Sequence, residues 1–271
     1  MQKKSYQNEL AFSVPQQRGG NNKKQDVMKI QSWLTLFDLA NPGSGLSTGI
    51  DGDFGPATEK AVKNYQISKK LPATGIVDPI LFEKLCEPLK TAFENPLKGG
   101  GLRELILNAA RQHLASKPFE LNIKGQSNSG PWVRSYMDGN EGEDWYWCMG
   151  FVQTIIDQAA SSLGKTFKAL MPLTYSCDTV GTTGINKGIL YRYSKVRKDP
   201  SIVKPGDIFL VQKTEYDWTH TGIIINIEEG LFETIEGNTN DDGSSNGNRV
   251  CRRNRNFMQS KLDVFSVEPL V

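Results

Sequence analysis

Residues 145–151 of the chain read Trp145-Tyr146-Trp147-Cys148-Met149-Gly150-Phe151. Apolar residues recur at helical spacing after Cys148 and stop at Gly164, which predicts a helix that begins beside this cysteine. A thiol in the first turn of a helix feels the positive end of the helix dipole, and this favours the thiolate. Cys148 is therefore a candidate nucleophile. Its base must be His113 or His220, because the sequence has only these two histidines.

Length and composition limit the classes of function. The 271 residues can form two domains, each with its own core. The net charge of +2 gives no broad basic field, so we expect no nucleic-acid partner. No apolar run is long enough to insert into a membrane, and residues 1–10 lack the apolar core of a signal peptide. We expect a monomer that is made in the cytoplasm.

The cysteines and histidines do not form a recognisable metal motif. The four cysteines are widely and irregularly spaced, which favours unpaired thiols over disulfides. We expect Cys86, Cys177 and Cys251 to be structural thiols and His113 to be an ordinary helix residue. There is no CxxC pair and neither histidine is close to a cysteine in sequence, so we expect no zinc site and no cofactor.

The sequence divides into four segments. Residues 1–25 are rich in Gln, Lys, Asn and Gly, which indicates a flexible N-terminal tail. Residues 26–87 show three short helical patterns separated by loops, and residues 88–101 are a linker rich in Pro and Gly. Residues 102–271 form the second domain.

A short repeat marks the three-helix segment. Gly52-Asp53-Phe54-Gly55-Pro56 is echoed twenty-three residues later by Gly75-Ile76-Val77-Asp78-Pro79, with each proline at a predicted helix start. Residues 26–86 resemble the three-helix peptidoglycan-binding domain. The motifs that carry the resemblance are Ile30-Gln31-x-x-Leu34, Asp51-Gly52-x-Phe54-Gly55, Tyr65-Gln66 and Thr74-Gly75-Ile76-Val77-Asp78. The resemblance implies bacterial peptidoglycan as the partner, bound through its carbohydrate or its stem peptide.

The second domain changes from helical to strand patterns along its length. Its first half carries the helix at residues 102–110 and the helix after Cys148, and its second half carries strand patterns at 208–211, 219–227 and 231–238. This order predicts an α+β fold in which N-terminal helices pack on an antiparallel sheet.

The last two strand patterns predict a hairpin that gathers polar residues. A register that pairs Ile227 with Leu231 places His220 opposite Asn238, with Glu236 two residues away on the same face. A shift of the turn by one residue would change this pairing.

Residues 102–271 resemble the CHAP domain, a papain-like amidohydrolase family of bacterial cell-wall enzymes. The motifs are Trp147-Cys148-x-x-Phe151-Val152, Lys204-Pro205-Gly206-Asp207-Ile208, His220-Thr221-Gly222-Ile223-Ile224 and Ile235-Glu236-Gly237-Asn238. The resemblance implies that Cys148 is the nucleophile and His220 the general base and acid. Either Glu236 or Asn238 then orients the imidazole, and the Cys148 N–H contributes to the oxyanion hole.

Two further groups of residues are open to two interpretations. Trp145 and Trp147 either line a substrate cleft or pack the domain. The acidic loop before Cys148 is either an exposed loop or a calcium site, since some members of the resembled family bind calcium there. Its candidate ligands, whose spacing does not fit a twelve-residue EF-hand loop, are Asp138, Asn140 and Asp144.

These features predict a modular peptidoglycan hydrolase that cuts a muramoyl–alanine, stem-peptide or cross-bridge amide. The alternatives are an inactive wall-binding protein and a cysteine amidase that acts on another substrate. Without a signal peptide, we expect release by a holin, as for a phage endolysin, or delivery by a secretion system.

Overall fold

A computed structural model describes residues 1–240 and 246–271. The helices are α1 (Tyr6–Leu10), α2 (Lys24–Ala40), α3 (Pro56–Ser68), α4 (Pro79–Glu94), α5 (Leu102–Ala115), α6 (Pro131–Tyr136), α7 (Cys148–Ser162), α8 (Cys177–Asn186) and α9 (Tyr193–Lys198). The strands are β1 (Leu121–Ile123), β2 (Gln126–Ser129), β3 (Leu190–Tyr191), β4 (Ile208–Thr214), β5 (Asp217–Glu228), β6 (Leu231–Thr239), β7 (Arg249–Asn256) and β8 (Leu262–Phe265). None of the helices among these residues has the length and apolar character needed to cross a membrane.

Helices α2, α3 and α4 form the N-terminal helical domain, and two buried glutamines explain its internal repeat. Gln31 of α2 accepts the Gly52 N–H at 2.9 Å, and Gln66 of α3 accepts the Gly75 N–H at 2.8 Å. Gly52 has φ +82, and a Cβ there would meet Lys24 Cγ at 2.5 Å, so this tight turn requires glycine. Each of the two repeated segments is therefore a turn at a glycine, held by a glutamine side chain of the preceding helix.

Helix α4 continues through the start of the expected linker. Pro88 lies inside the helix, which runs to Glu94 before the extended Asn95. A proline removes the hydrogen bond to the carbonyl four residues earlier, here that of Lys84. The Tyr65 hydroxyl donates to this carbonyl at 3.1 Å, so the carbonyl still has a partner and the helix continues.

The N-terminal residues are packed against the rest of the molecule, which differs from the expected flexible tail. Lys3 is only 1% exposed, and its Nζ lies 2.6 Å from Asp138. The N–H groups of Gln2 and Lys3 donate to the buried carboxylate of Asp157 on α7. Polar composition suggested disorder, but these polar groups have partners that are distant in sequence.

The second domain has the expected mixed architecture of helices and an antiparallel sheet. Six strands lie in the order β3-β8-β4-β5-β6-β7, with every pair antiparallel, while β1 and β2 form a separate hairpin. Helix α7 packs on β5 and β6, and its apolar residues belong to a core that also includes those of the helical domain. A smaller core on Phe209, Ile224 and Phe232 packs against Val196 of α9.

The β5–β6 hairpin differs from the predicted register at its turn and agrees with it near the site. Ile227 pairs with Phe232 rather than with the expected Leu231, because the turn is shifted by one residue. A bulge between Ile224 and Asn226 removes this offset, so Ile223 pairs with Ile235 as the sequence predicted. At the end of the hairpin that carries the site, the two strands therefore have the predicted register, and their side chains face the predicted sides of the sheet.

Candidate active site

Cys148 is the first residue of α7 and is 4% exposed. Two glycines allow α7 to lie close to its neighbours. A Cβ at Gly150 would meet the Tyr136 carbonyl oxygen at 2.7 Å, and a Cβ at Gly237 of β6 would meet Phe151 Cβ at 2.7 Å. The short distances between helix and sheet bring the start of α7 to the strands that carry the other polar residues.

His220 on β5 is completely buried and makes a hydrogen bond with Glu236 on β6. The distance from His220 Nε2 to Glu236 Oε2 is 2.8 Å. The other ring nitrogen, Nδ1, is buried with no hydrogen-bond partner among the residues that the structure describes. Cys148 and Glu236 both interact electrostatically with the ring. The structure thus brings together the predicted thiol, imidazole and carboxylate.

Glu236 is held from two further sides. Thr234 Oγ1 donates to its Oε1 at 2.6 Å, and Arg255 Nε on β7 donates to the same oxygen at 2.8 Å. Arg255 also forms an ion pair with Oε2. Its guanidinium carbon lies 5.5 Å from the Phe209 ring centroid, so it is a partly buried part of the site. The sequence does not distinguish Arg255 from the neighbouring Arg252 and Arg253, because a strand pattern does not reveal which cation faces a buried acid.

Interactions within this cluster favour the charged forms of His220 and Glu236. Burial opposes a charge on His220, but the interaction with the neighbouring Cys148 and the hydrogen bond with Glu236 outweigh it and raise its pKa to about 9. Burial also opposes ionisation of Glu236, yet hydrogen bonds from Arg255 and His220 lower its pKa to about 2. These directions favour an imidazolium beside an ionised carboxylate.

Cys177, which the sequence predicts to be a structural thiol, is a neighbour of Cys148. It is the first residue of α8, and a hydrogen bond from its thiol is the main cause that lowers the pKa of Cys148. Interaction with His220 also lowers it, while burial acts in the opposite direction. The Cys177 thiol has a pKa well above its ordinary value, because it donates to Cys148 and is buried. Twenty-nine residues separate the two cysteines, and no local motif connects them.

The position of Cys177 is fixed through β5. The Asp178 carboxylate accepts the Trp218 N–H at 2.6 Å, two residues before His220 in the chain. A Cβ at Gly181 of α8 would meet the Trp218 ring at 2.5 Å, so this glycine permits the close approach of helix and strand. The start of α8 is therefore held beside the strand that carries the imidazole.

Asn238 contacts the chain before the thiol rather than the imidazole. Its Oδ1 accepts the Trp147 N–H at 3.2 Å, and its Nδ2 donates to the Gly247 carbonyl at 2.8 Å. It has φ +55, a left-handed conformation that Asn tolerates better than most residues. Of the two residues considered for orienting the ring, Glu236 makes the bond, and Asn238 holds the backbone next to Cys148.

The two tryptophans considered for substrate binding have different environments. Trp147 is fully buried, stacks on Tyr136 at 5.5 Å and donates from Nε1 to Glu120 at 2.8 Å. Its ring is therefore part of the core and does not face a cleft. Trp145 is half-buried and contacts Tyr175 edge-on at 5.7 Å, so it remains a candidate for substrate contact.

The considered calcium ligands have separate partners. Asp138 accepts from Lys3 Nζ and from the Tyr175 hydroxyl, each at 2.6 Å, and Asn140 donates to the Met137 carbonyl. Asp144 is exposed. In residues 1–240 and 246–271, no group of three or more His, Cys, Asp or Glu side chains is placed to hold a metal ion. The calcium site stays a prediction from sequence.

His113 is not available as a base for the thiol, because both its ring nitrogens have other partners. Tyr136 Oη and Gln158 Oε1 each lie 2.8 Å from one ring nitrogen. Burial lowers the pKa of His113 to about 4, so the ring is neutral at physiological pH. It is a structural residue of α5, as its position in the sequence indicated.

Comparison with known proteins identifies the N-terminal helical domain. Residues 23–85 match the family of peptidoglycan binding domains. Over 44 residues the chain is 48% identical to a zinc D-Ala-D-Ala carboxypeptidase of Streptomyces albus G. This match covers 16% of the present chain and 17% of that protein. No solved structure matches the chain. The α2–α4 unit is therefore a helical peptidoglycan-binding domain.

Proposed function

We propose that this protein is a peptidoglycan hydrolase in which the helical domain holds the cell wall and Cys148 cleaves an amide bond. The observation that carries the proposal is the buried cluster of Cys148, His220 and Glu236 behind a peptidoglycan-binding domain. The cluster has a thiol at a helix start, an imidazole beside it and a fixed carboxylate on the far ring nitrogen. This is the arrangement that a cysteine nucleophile requires.

In the proposed reaction, the Cys148 thiolate attacks the amide carbonyl carbon and forms a tetrahedral intermediate. The N–H of Cys148, which starts α7 and has no acceptor inside the helix, stabilises the oxyanion. His220 gives its Nδ1 proton to the leaving amine, and the C–N bond breaks to leave a thioester. His220 then takes a proton from water, which attacks the thioester and releases the acid. Glu236 keeps the ring oriented throughout through Nε2.

The zinc chemistry in the name of the carboxypeptidase relative does not fit the residues of this chain. Both nitrogens of His113 are bonded to Tyr136 and Gln158, and Nε2 of His220 is bonded to Glu236. The part of the chain that the structure describes offers no cluster of three or more His, Cys, Asp or Glu side chains for a metal. The proposal therefore uses the thiol. CHAP-type membership and a papain-like fold belong to the same proposal.

The test is to incubate purified sacculi with the full chain, with Cys148→Ala and with Cys86→Ala. The control thiol of Cys86 is buried in the helical domain, where burial raises its pKa to about 12. We expect Cys148→Ala to bind sacculi like the parent and to release no fragments, whereas Cys86→Ala keeps its activity. Mass spectrometry of the released fragments would identify the new termini and hence the bond. Undiminished cleavage by Cys148→Ala would refute the nucleophile.

A catalytically inactive wall-binding protein is the second candidate. It is favoured only if the unmodified chain binds sacculi and releases nothing from walls of different cross-bridge type. The third candidate is a cysteine amidase with another substrate. Such an enzyme would hydrolyse small amides at least as fast as it hydrolyses sacculi.

A further inference from the structure

A cavity of about 1000 Å³ lies between the helical domain and the second domain. The helical domain contributes residues of α2 and α4, including Trp33 and Phe37. The second domain contributes the end of α5, the loop to Phe119, Trp132 of α6 and part of β7. The peptidoglycan-binding family match ends at residue 85, so about two thirds of the residues that line this cavity lie outside the matched domain.

Two tryptophans line the cavity where the two domains meet. Trp33 and Trp132 meet edge to face with their ring centroids 6.0 Å apart, and each is 2% exposed. They connect the two domains and fix the shape of the cavity from both sides. Trp33 Nε1 is also buried with no hydrogen-bond partner within the described chain. An unpartnered buried donor is unusual in a protein interior.

The charged residues around the cavity are mainly basic. Four cationic residues line it, and Glu87 is the single acidic one in the lining that the structure describes. The four are Lys69, Lys117, Arg249 and Arg252. Arg252 forms an ion pair with Glu233 at 3.1 Å, whereas the Lys69 ammonium lies over the rings of Phe37 and Tyr65. The ligand that this surface complements is therefore an anion with apolar parts.

We propose that this cavity binds the acidic stem peptide of peptidoglycan, so that the two domains form one composite wall-binding site. The inference rests on the proposed function, because it assumes that the wall is the ligand. The free carboxylates of the stem peptide match the cationic rim, and its aliphatic side chains match the aromatic floor.

The cavity is also connected to the proposed catalytic cluster through its own wall. Phe119 lines the cavity and forms a bridge with Arg249, and the next residue, Glu120, accepts the hydrogen bond of Trp147 Nε1 at 2.8 Å. Trp147 directly precedes Cys148. Strand β7 runs from Arg249 at the cavity to Arg255 on Glu236. The cavity wall and the proposed catalytic cluster therefore share two segments of the chain, Phe119–Glu120 and β7.

The experiment measures binding of a soluble disaccharide–pentapeptide muropeptide by calorimetry to the full chain carrying Cys148→Ala. In this background, Lys69→Gln with Lys117→Gln removes two exposed cations from the cavity. Lys60→Gln with Lys84→Gln is the matched control, because it removes the same charge from exposed helix positions outside the cavity. Ala115→Trp, at an exposed position in the lining, fills the cavity without removing a charge.

We expect the cavity pair, Lys69→Gln with Lys117→Gln, to lower the affinity for the muropeptide about five- to tenfold, since exposed charge contacts contribute modestly. The control pair, Lys60→Gln with Lys84→Gln, should leave the affinity nearly unchanged. Ala115→Trp should lower it at least as much as the cavity pair does. Amidation of the peptide carboxylates should reduce the affinity of the parent and remove the difference between the pairs. The uncharged glycan chitotriose should bind with equal affinity to the variant with the cavity pair and to the variant with the control pair.

Equal affinity of the cavity pair and the control pair would overturn the inference. If the unmodified chain still released fragments from sacculi through Cys148, the proposed function would stand without this site. If the muropeptide did not bind and the sacculi were not cleaved, both would fail.

Discussion

At the residue scale, Glu236 contributes to the charge state of the proposed catalytic pair. It carries a pKa of about 2, held low against burial by Arg255 and His220, so it is ionised across the working range of pH. Its carboxylate is one of the groups that raise the pKa of His220 to about 9. The imidazole therefore keeps the proton that the leaving amine needs until the pH rises through that value.

The pH dependence of kcat/KM tests this charge arrangement. The raised pKa of His220 means that its protonated form predominates below about pH 9, so we expect activity to fall as the pH rises through about 9. Glu236→Gln removes one cause of the raised pKa, so the alkaline limb should move to lower pH. Activity should also fall about 10²–10⁴-fold, as expected for a general acid–base pair without its orienting group.

Glu233→Gln is the matched control for this variant. Glu233 lies on the same strand and pairs with the exposed Arg252 at 3.1 Å, away from His220. It should leave the profile unchanged. An alkaline limb that stays in place in Glu236→Gln would show that another group sets it.

Cys177 gives a second test at this scale. Because its thiol donates to Cys148, Cys177→Ala should raise the pKa of Cys148, and Cys177→Ser, which keeps a donor, should raise it less. The measurement is the pH dependence of Cys148 alkylation by iodoacetamide, followed by mass spectrometry of the Cys148 peptide. Cys86→Ala should not move the midpoint. A midpoint that is the same in all three variants would mean that Cys177 only fills space.

At the scale of elements, the site depends on how closely α7 packs against β6. Gly237 lies opposite Phe151 and Trp147, and no other residue type has a side chain small enough for this distance. The same argument applies to Gly222 on β5, where a Cβ would meet Glu236 Cγ at 2.7 Å. The glycines of the two strand motifs therefore position α7 and the Glu236 side chain.

Gly237→Ala tests this packing. The added Cβ would lie 2.7 Å from Phe151 Cβ, so α7 and β6 must separate, and we expect a loss of about 1–3 kcal/mol in the free energy of unfolding. Activity should fall further than stability accounts for, because the thiol moves with α7. Gly101→Ala is the control, since a Cβ there meets nothing within 4 Å. Denaturant unfolding and kcat would be measured for both, and equal behaviour of the two variants would contradict the packing argument.

At the scale of the whole molecule, the N-terminal segment joins both domains. Helix α1 contacts α4 of the helical domain and α6 of the second domain. Tyr6 stacks on Phe93 at 4.5 Å, and Glu9 forms an ion pair with Arg134 at 2.8 Å. The two domains are therefore held together by a segment whose composition resembles that of a disordered tail.

Lys3→Met tests how much this segment contributes to stability. Lys3 is buried, and its ion pair with Asp138 counters the effect of burial, which lowers its pKa. We expect Lys3→Met to lower the free energy of unfolding by about 1–3 kcal/mol, less than for a fully buried pair because Asp138 is partly exposed. Lys4→Met, at the exposed neighbouring position, should change it little. Equal melting temperatures of both variants would contradict a structural role for Lys3.

Much of the fold was predictable because local sequence patterns determine it. The starts of α3 and α4 at Pro56 and Pro79 followed from the positions where proline is tolerated. The order of helices before an antiparallel sheet followed from the change of apolar period. The continuation of α4 through Pro88 did not follow, because the carbonyl that the proline leaves free is bonded by Tyr65 from another helix.

The sequence by itself determined the helical peptidoglycan-binding domain and the mixed architecture of the second domain, because these depend on periodicity and turn chemistry. It also limited the candidate residues to a short set, because the chain has only two histidines. Only the tertiary structure decided that Glu236 rather than Asn238 bonds the imidazole, that Arg255 neutralises Glu236 and that Cys177 lies beside Cys148. The physical reason is that these contacts join residues on different strands and helices. Their geometry is set by a bulge, by glycines at close approaches and by buried partners, which no local spacing encodes.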